Sequence, residues 1–438
     1  FRREFGDEKL PLYEAYACIW ASDDLAYNGG GATHATAYNL YHNRMAARVA
    51  KWLGEDPSPF EDEAERISRA MREHLWLADR GWFAEWKDLL GLQLAHPEAA
   101  AWTFYHTLDS EVPTPLEAWQ MTRFTDSRLA RFPLRGPGIP DGLHTMPTTN
   151  WMPYTWSLNN VVFGEMMHSS LGYWQANRRD GAMPLFKGAL VDSMFAGACP
   201  GNVGMCTWFD ANRRESQRDF GDGVGAMSRA VMDGLFGVKP DLLDDTVTLR
   251  PGIPSGWDHA AIGNKNFRFS FRRDGMTERY EFTNCFDRTL RVRLHAPAFR
   301  SEIESVTVDG VPAEWSVMED EAGLPRVEIT ADAPFSSTIE IRWKGDAIRG
   351  TVSSPAAHAG ESVTFDCGAK ILEIKDPQDA LEEESNEGSQ LTGIVAGLPG
   401  HRTVFAKVSQ GDLRWWLPVA FEILPKDVRP DPVDWNKP

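Results

Sequence analysis

Acidic and aromatic side chains are concentrated in a loop that precedes the last helical segment of the chain. The loop GMCTWFDANRRESQRDF leads into GDGVGAMSRAVMDGLFGV. Its acidic, aromatic and basic residues include Trp208, Phe209, Asp210, Arg213, Arg214, Glu215 and Asp219. Cleavage of a glycosidic bond needs one carboxylic acid to protonate the leaving oxygen and one carboxylate to activate water or attack carbon. The loop is therefore a candidate source of one of these groups, from Asp210 or Glu215, whereas Asp219 fits a helix N-cap.

A second acidic loop, GWFAEWKD, carries Glu85 and Asp88 next to Trp82 and Trp86. Aromatic rings that shield a carboxyl group from water raise its pKa, which favours the protonated form that a general acid needs. Glu85 is therefore a candidate catalytic acid. The alternatives are that it holds a sugar hydroxyl or is a solvated loop residue.

Neutral and aromatic side chains that suit a sugar occur in several segments. Amides and imidazoles recognise hydroxyl groups by paired hydrogen bonds, and indole rings stack on the apolar faces of sugars. The predicted substrate-binding residues are His34, Asn39, His42, Trp82, Asp88, Asn150, Trp151, Trp156, Trp208 and Arg214. His42 has a structural alternative as a core histidine. Glu165, inside an otherwise apolar helix, either pairs with a group such as His168 or faces the interior of a helical barrel.

The hydrophobic pattern changes from helical to strand-like near Gly237 to Pro240. Before this point, apolar residues recur at helical spacing. Ser58, Pro59 and Glu61 fit an N-cap, a first-turn proline and a capping-box acid for one helix. Other helices are predicted at about 11–21, 33–53, 94–108, 115–130, 158–177, 181–196 and 220–236, which gives about eight.

The rest of the chain has short alternating runs separated by Gly, Pro and Asp. Runs such as FRFSFRR, RYEFTN and TIEIRWK predict a half-solvated antiparallel sheet. A further set, including HRTVFAKVS and RWWLPVAFEI, predicts a separate β module after about residue 350. The expected fold class is therefore multidomain, α then β.

Composition excludes several other functions. The 438 residues carry a net charge of -18, which repels nucleic acid and anionic lipid. No apolar run reaches the roughly 20 residues of a membrane span. The five cysteines are scattered, so free thiols are expected, with a Cys199–Cys206 pair as the alternative. The sequence contains no HExxH, paired CxxC, GxxxxGK[ST] or GxSxG motif, so no metal site and no cofactor are predicted.

Three further segments, together with the loop and helix described first, resemble the six-hairpin glycosidases, the superfamily that includes bacterial α-L-rhamnosidases. These segments are YNGGGATHATAYNLYHNRMAARVAKWLG, GWFAEWKDLLG and TTNWMPYTWSLNNVVFGEMMHSSLGYW. The resemblance covers roughly residues 1 to 345, and the segments look like a secreted branch of that superfamily. A secreted branch implies a periplasmic or extracellular location.

The resemblance implies three domains. Residues 1–238 would be the C-terminal part of an (α/α)6 barrel, 239–346 a β-sandwich and 347–438 an Ig-like β module. A six-hairpin barrel has twelve helices, and about eight are predicted here. The expected partner is therefore the N-terminal segment of the same protein or a second fragment, since a partial barrel would expose apolar helix faces.

The resemblance also implies residue roles. The Trp-Glu pair that carries the base in rhamnosidase-like relatives corresponds to TWFD, which indicates Asp210, although Asp stands where the relatives have Glu. The loop that carries the acid in many barrel glycosidases corresponds to the segment with Asp23, which is the first candidate for the acid. Asp24 is the alternative. The expected activity is glycoside hydrolysis with inversion, on a polysaccharide or oligosaccharide side chain. Two alternatives remain open: a polysaccharide lyase using Tyr154, His144 and Asn150, and a non-catalytic glycan-binding protein.

Overall fold

The computed structural model describes residues 10–14, 30–150, 159–196, 208–209, 216–217, 222–353 and 356–425. Within these residues, a helical part is followed by strands in several sheets, as the sequence predicts. The helices are α1 (Thr33–Leu53), α2 (Ser58–His74), α3 (Ala101–Asp109), α4 (Pro115–Arg128), α5 (Phe163–Gln175), α6 (Arg179–Val191) and α7 (Asp222–Arg229). A 3-10 turn spans Ala78–Arg80, and π-helical segments span Asp192–Ala196 and Ala230–Leu235.

Local sequence signals explain where several helices begin and end. Helix α1 has the predicted bounds, and it ends because Gly54 adopts a left-handed conformation with φ of 76°. Helix α2 begins at Ser58, so Ser58 is not its cap. The Asp56 side chain instead accepts a hydrogen bond from the Ser58 amide at 3.0 Å. The capping box lies at α4, where Thr114 and Glu117 bond each other's amides.

Several helices pack against helices that are next to them in the chain, and some also pack against more distant helices. Helix α1 contacts α2 and α3, and α5 contacts α3, α6 and α7. The faces between them bury large side chains, including Trp102, Phe104 and Tyr173. Helix α3 is shorter than the predicted 94–108 segment, because Ala95–His96 pairs as a strand and only Ala101–Asp109 is helical.

Two-residue strands join the loops between helices. They are β1 (Gly31–Ala32), β2 (Trp76–Leu77), β3 (Trp82–Phe83), β4 (Trp86–Lys87), β5 (Ala95–His96), β6 (Phe132–Pro133), β7 (His144–Thr145), β8 (Val161–Val162), β9 (Trp208–Phe209) and β10 (Ser216–Gln217). Strand β1 pairs with β4 and β4 with β5, while β9 pairs with both β8 and β10.

The strands between residues 238 and 347 form two sheets. They are β11 (Val238–Asp241), β12 (Thr246–Leu249), β13 (His259–Gly263), β14 (Phe267–Asp274), β15 (Thr277–Asn284), β16 (Leu290–Pro297), β17 (Arg300–Val308), β18 (Val311–Pro312), β19 (Ser316–Val317), β20 (Arg326–Ala333) and β21 (Ser336–Ala347). One sheet has the order β11-β12-β16-β20-β19 and the other β13-β14-β15-β21-β17-β18. Burial alternates along β15 and β16, as expected for strands with one face on a core.

The remaining strands form two further sheets. They are β22 (Val352–Ser353), β23 (Ala357–His358), β24 (Ser362–Asp366), β25 (Lys370–Lys375), β26 (Leu381–Glu387), β27 (Gln390–Val395), β28 (Gly400–Gln410) and β29 (Leu413–Leu424). Their orders are β22-β29-β28-β25, with β23 also on β29, and β24-β27-β26. Strand β28 also contacts α4.

Asn177 joins the helical part to the first pair of sheets. Its Nδ2 donates to Glu321 Oε2 at 3.1 Å and to the carbonyl oxygens of Ala322 and Leu324 at 3.0 and 2.7 Å. Its Oδ1 accepts from Arg326 Nε at 2.9 Å. Asn177 has φ of 62°, a left-handed conformation that Asn tolerates better than most residues. One buried amide therefore connects the end of α5 to the loop before β20.

Candidate active site

Glu85 fixes the starts of two helices. Its backbone carbonyl accepts from the Thr33 amide at 3.0 Å, and its amide donates to the His96 carbonyl at 2.7 Å. Its carboxylate is fully buried and accepts from Trp102 Nε1 at one oxygen and from Thr103 Oγ1 at the other. Thr33 is the first residue of α1, and Trp102 and Thr103 lie in the first turn of α3. The N-terminal ends of α1 and α3 therefore meet at Glu85.

Helix α5 begins at the same end. The Ala101 amide donates to the Thr148 carbonyl at 2.8 Å, and the Thr148 amide donates to the Asn160 carbonyl at 2.8 Å. Asn160 directly precedes Val161–Val162, which leads into α5. We call the end formed by the first turns of α1, α3 and α5 and by Glu85 the rim.

The described ends of two acid-bearing segments lead to this rim. Gly31 of β1 bridges to Glu14, and the residues between them include Asp23. Strand β8, before α5, pairs with Trp208–Phe209, which pairs antiparallel with Ser216–Gln217. Residues 210–215, which include Asp210 and Glu215, connect those two strands.

Two buried histidines lie between the helices that start at the rim. The ring centroids of His34 and His106 are 6.0 Å apart, and the residues are 4% and 2% exposed. Within the described part of the chain, neither ring nitrogen of either histidine has a hydrogen-bond partner. The Tyr38 ring is 4.4 Å from His106, and the Tyr105 ring contacts both His106 at 4.2 Å and His168 at 4.9 Å. We call His34, His106 and His168 the histidine cluster.

Burial keeps the histidine cluster uncharged at neutral pH. It lowers the pKa of His34 to about 4 and that of His168 to about 4, with Arg229 adding to the effect at His168. It also places the pKa of His106 well below its ordinary value, and the neighbouring His34 and His168 lower it further. A neutral imidazole offers one N–H donor and one acceptor, as a sugar hydroxyl does. The cluster is therefore matched to hydroxyl groups rather than to anions.

The cluster should make folding sensitive to mild acid. The pKa of His34 is about 4 in the folded state and about 6.5 in the unfolded state, so the unfolded state binds the proton first as pH falls. The free energy of unfolding should decrease from about pH 6.5 to about pH 4, by up to about 1.4 kcal/mol per pH unit for each such histidine. Urea unfolding measured at several pH values in this range should show that the free energy of unfolding changes less steeply with pH in His34→Leu than in the wild type. The same pH dependence in both proteins would contradict the lowered pKa of His34.

Among the predicted substrate-binding residues, His34 lies in the cluster, and Asn39 and His42 lie further along α1. The Asn39 amide donates to the Ala35 carbonyl of its own helix at 2.9 Å. His42 is exposed and stacks on Tyr38, with ring centroids 5.9 Å apart, so it is not a core histidine. Since Tyr38 contacts His106, His42 extends the line of rings outward from the cluster.

Trp82 and Asp88 occupy different environments. Trp82 is fully buried and stacked on Phe124 at 4.6 Å, which places it in the core rather than at a surface where a sugar could stack. Asp88 is partly exposed and accepts from Trp86 Nε1 at 3.2 Å. It also pairs with His96 Nε2 at 2.9 Å, so its carboxylate has protein partners.

Asn150 is exposed, and its Nδ2 donates to the carbonyl of Arg128, the last residue of α4. The other predicted site residues lie outside the described residues, except that the backbone of Trp208 is described as part of β9; they are Asp23, Trp151, Trp156, Asp210, Arg214 and Glu215. Asp24 and Tyr154, named for the alternative roles, also lie outside.

Sequence reasoning missed His106, Tyr105 and Thr103. All three lie in AWTFYHTLD, a helix in which every residue from Ala101 to Leu108 is buried. Polar groups inside a fully buried helix need partners. The polar residues within this largely apolar segment are a sequence signal that could have pointed to the site.

Two absences hold for the described residues. No group of three or more His, Cys, Asp or Glu side chains there is arranged to hold a metal ion. None of the helices described there has the length and apolar character needed to cross a membrane.

Comparisons with known proteins give structural likenesses alone. No protein-family model and no curated protein sequence matches the chain. The chain is similar to α-L-rhamnosidase from Streptomyces avermitilis, with 13% identity over 78% of this chain and 29% of that chain and a TM-score of 0.45. It is also similar to α-L-rhamnosidase from Dictyoglumus thermophilum, with 11% identity over 70% and 32% and a TM-score of 0.42.

A third similar structure is GH63 mannosylglycerate hydrolase from Thermus thermophilus. It shares 16% identity over 46% of this chain and 47% of that chain, with a TM-score of 0.32. These three neighbours are glycoside hydrolases. The chain spans less than half the length of each of them.

Proposed function

We propose that this chain carries the active site of a glycoside hydrolase that cleaves a polysaccharide or oligosaccharide side chain. The observation that supports this most is the histidine cluster between the helices that start at the rim, where four imidazole nitrogens of His34 and His106 have no partner within the described residues. A buried polar group without a partner costs about 1–3 kcal/mol. Such a cost is tolerated where a ligand supplies the missing hydrogen bonds.

The charge state of the cluster favours a sugar. Because the lowered pKa values leave His34 and His168 neutral, the cluster offers no positive charge to a phosphate or carboxylate. Each ring can instead donate to one hydroxyl oxygen and accept from one hydroxyl hydrogen.

The acid and base would come from the segments that flank the rim. We propose Asp210, with Glu215 as the alternative, as the base that activates water, and Asp23 as the acid. Glu85 is the weaker choice of acid because its carboxylate is fully buried and both of its oxygens accept hydrogen bonds from α3. We therefore propose Glu85 as a positioning residue, and an inverting mechanism in which a water molecule separates the base from the sugar.

The test of this function is product analysis with the protein and any segment that co-purifies with it. Incubation with neutral and acidic plant and bacterial polysaccharides should release reducing sugar without forming an unsaturated product. Ultraviolet absorbance from a new double bond would instead indicate a lyase. Sugar binding without turnover of any substrate would indicate a glycan-binding protein.

The histidine cluster itself gives a prediction in which stability and function separate. His106→Leu replaces an unpartnered buried ring by an apolar side chain, so the free energy of unfolding should stay the same or rise by about 1 kcal/mol. The KM for the sugar substrate should rise at least about tenfold, because two hydrogen bonds to hydroxyls are lost. Thermal unfolding and steady-state kinetics measure both quantities.

His144→Leu is the matched control, because His144 lies outside the cluster and bonds the Gly142 carbonyl at 3.2 Å. It should leave KM unchanged. A loss of activity in this control alone would favour the lyase alternative, which places His144 in the chemistry.

We also propose that a further segment, from the same protein or a second fragment, covers part of the helical surface, and that the protein works in the periplasm or outside the cell. Trp52 and Leu53 at the end of α1 are 67% and 62% exposed, and Leu90 and Leu92 are also exposed. Hydrogen exchange at α1 should be slower in the protein from its native source than in this chain alone. Equal exchange would argue against a covering segment.

A further inference from the structure

A polar cavity of about 300 Å³ lies between α4 and the sheet that contains β28. It shares no lining residue with the histidine cluster. Gln120, Arg123 and Arg128 of α4 line one side, and His401 and Arg402 line the other. Gln378 connects the 3-10 turn to β28, since its Nε2 donates to the Asp79 carbonyl at 3.1 Å and its Oε1 accepts from the Thr403 amide at 2.9 Å. The cavity therefore lies at a fixed junction.

Positive charge dominates the lining. Arg80, Arg123, Arg128 and Arg402 outnumber Asp79 and Glu422, although the whole chain has a net charge of -18. The ion pairs that two of the arginines make are long, at 3.8 Å for Arg80 with Asp79 and 3.9 Å for Arg123 with Asp126. Among the described residues, Arg128 and Arg402 form no ion pair with a carboxylate; Arg402 donates to the carbonyls of His401 and Leu398.

The neighbouring histidine responds to this charge. Burial lowers the pKa of His401, Glu422 acts in the opposite direction, and Arg123, Arg128 and Arg402 lower it further. Burial is therefore the main cause of the shift, and the three arginines add to it. The excess of guanidinium groups over carboxylates in the lining is what would attract an anion.

Two deeply buried side chains in the lining have unused hydrogen-bonding atoms. Gln120 is 2% exposed, and neither its Nε2 nor its Oε1 has a partner within the described ranges. Arg402 is 6% exposed, and its Nε is likewise without a partner there. Because unsatisfied buried polar groups are rare in folded proteins, these atoms indicate a polar ligand.

We propose that this cavity binds a sugar acid, with its carboxylate on the arginines and its hydroxyls near the Gln120 amide. Guanidinium groups pair with carboxylates through charge-assisted hydrogen bonds, and an amide both donates to and accepts from hydroxyls. A cavity of about 300 Å³ is at the lower end of the range for small-molecule sites and is large for an inorganic anion. The ligand is therefore acidic and hydroxylated.

Isothermal titration of the full chain with sodium D-galacturonate and sodium D-glucuronate tests this site. At least one should bind, and D-galactose should bind at least about tenfold more weakly. Arg123→Gln and Arg128→Gln should each weaken uronate binding by about tenfold or more, since each removes one charge-assisted contact. Arg69→Gln is the matched control, because Arg69 on α2 is 73% exposed and lies outside the cavity; it should bind like the wild type.

Three results would overturn the proposal: no binding of either uronate, sulfate binding as tightly as the uronates, or equal weakening in Arg69→Gln. If a uronate binds, titration with trigalacturonate then distinguishes a polysaccharide ligand from a free sugar acid. Tighter binding of the trimer indicates an acidic polysaccharide, and tighter binding of the monomer indicates a free sugar acid. Uronate binding does not require turnover, so this proposal and the glycosidase proposal can fail separately.

Discussion

Asp210→Asn should lower kcat by about 10³-fold, with little change in the free energy of unfolding. The physical reason is that an amide cannot remove a proton from the attacking water, and a positioned general base contributes about 10²–10⁴ to the rate. Glu215→Gln should have a smaller effect if Asp210 is the base. Steady-state kinetics on the released reducing sugar and a pH profile of kcat/KM measure both variants, because loss of the base should remove the acidic limb of the profile.

Asp141→Asn provides the matched control. Asp141 is an exposed loop acid among the described residues and belongs to neither of the segments that carry Asp23, Asp210 and Glu215. Its variant should keep full activity. If Asp210→Asn and Glu215→Gln also keep full activity, the base assignment is wrong. If Glu215→Gln alone is inactive, the base is Glu215.

Glu85→Ala should reduce the free energy of unfolding by about 3–5 kcal/mol. The substitution leaves the buried Trp102 indole N–H and Thr103 hydroxyl without their acceptors, at about 1–3 kcal/mol each, and adds a cavity. Glu85→Gln keeps the shape and one carbonyl acceptor, so its loss should be about 1–2 kcal/mol. Urea unfolding of both variants measures the difference.

Glu98→Ala is the control, since Glu98 is exposed in the same connection between β5 and α3; its loss should stay below about 0.5 kcal/mol. A positioning role also predicts a kinetic signature. Glu85→Gln should raise KM more than it lowers kcat, because it loosens the helices that carry His34 and His106. A kcat loss of about 10³-fold with unchanged KM would instead make Glu85 the catalytic acid.

The helices were largely predictable because their signals are local. Helix α1 has the predicted bounds, with an apolar face and a glycine at its end. Prediction was wrong before α3, where Ala95–His96 pairs with Trp86–Lys87, because a two-residue strand has no periodicity and depends on a partner elsewhere in the chain. The other two-residue strands next to the rim could not be predicted for the same reason.

Candidate side chains were predictable by type but not by environment. Glu85 was a candidate acid because tryptophans are its neighbours in the sequence. The groups that donate hydrogen bonds to its carboxylate, however, lie on α3. Trp82 is stacked in the core because Phe124 of α4 packs on it. The basic cavity was not predictable, since Arg80 and Arg402 are brought together by tertiary packing and the sequence shows no basic cluster.

The Asn177 connection has a consequence for how the protein melts. Substitution by glycine would suit the left-handed backbone but remove every side-chain bond to the loop before β20, while alanine would lose the bonds and strain the backbone. Since the amide is shared by helix and sheet, opening one region removes hydrogen bonds from the other. Calorimetry should therefore record these two regions as a single cooperative transition rather than as independent peaks.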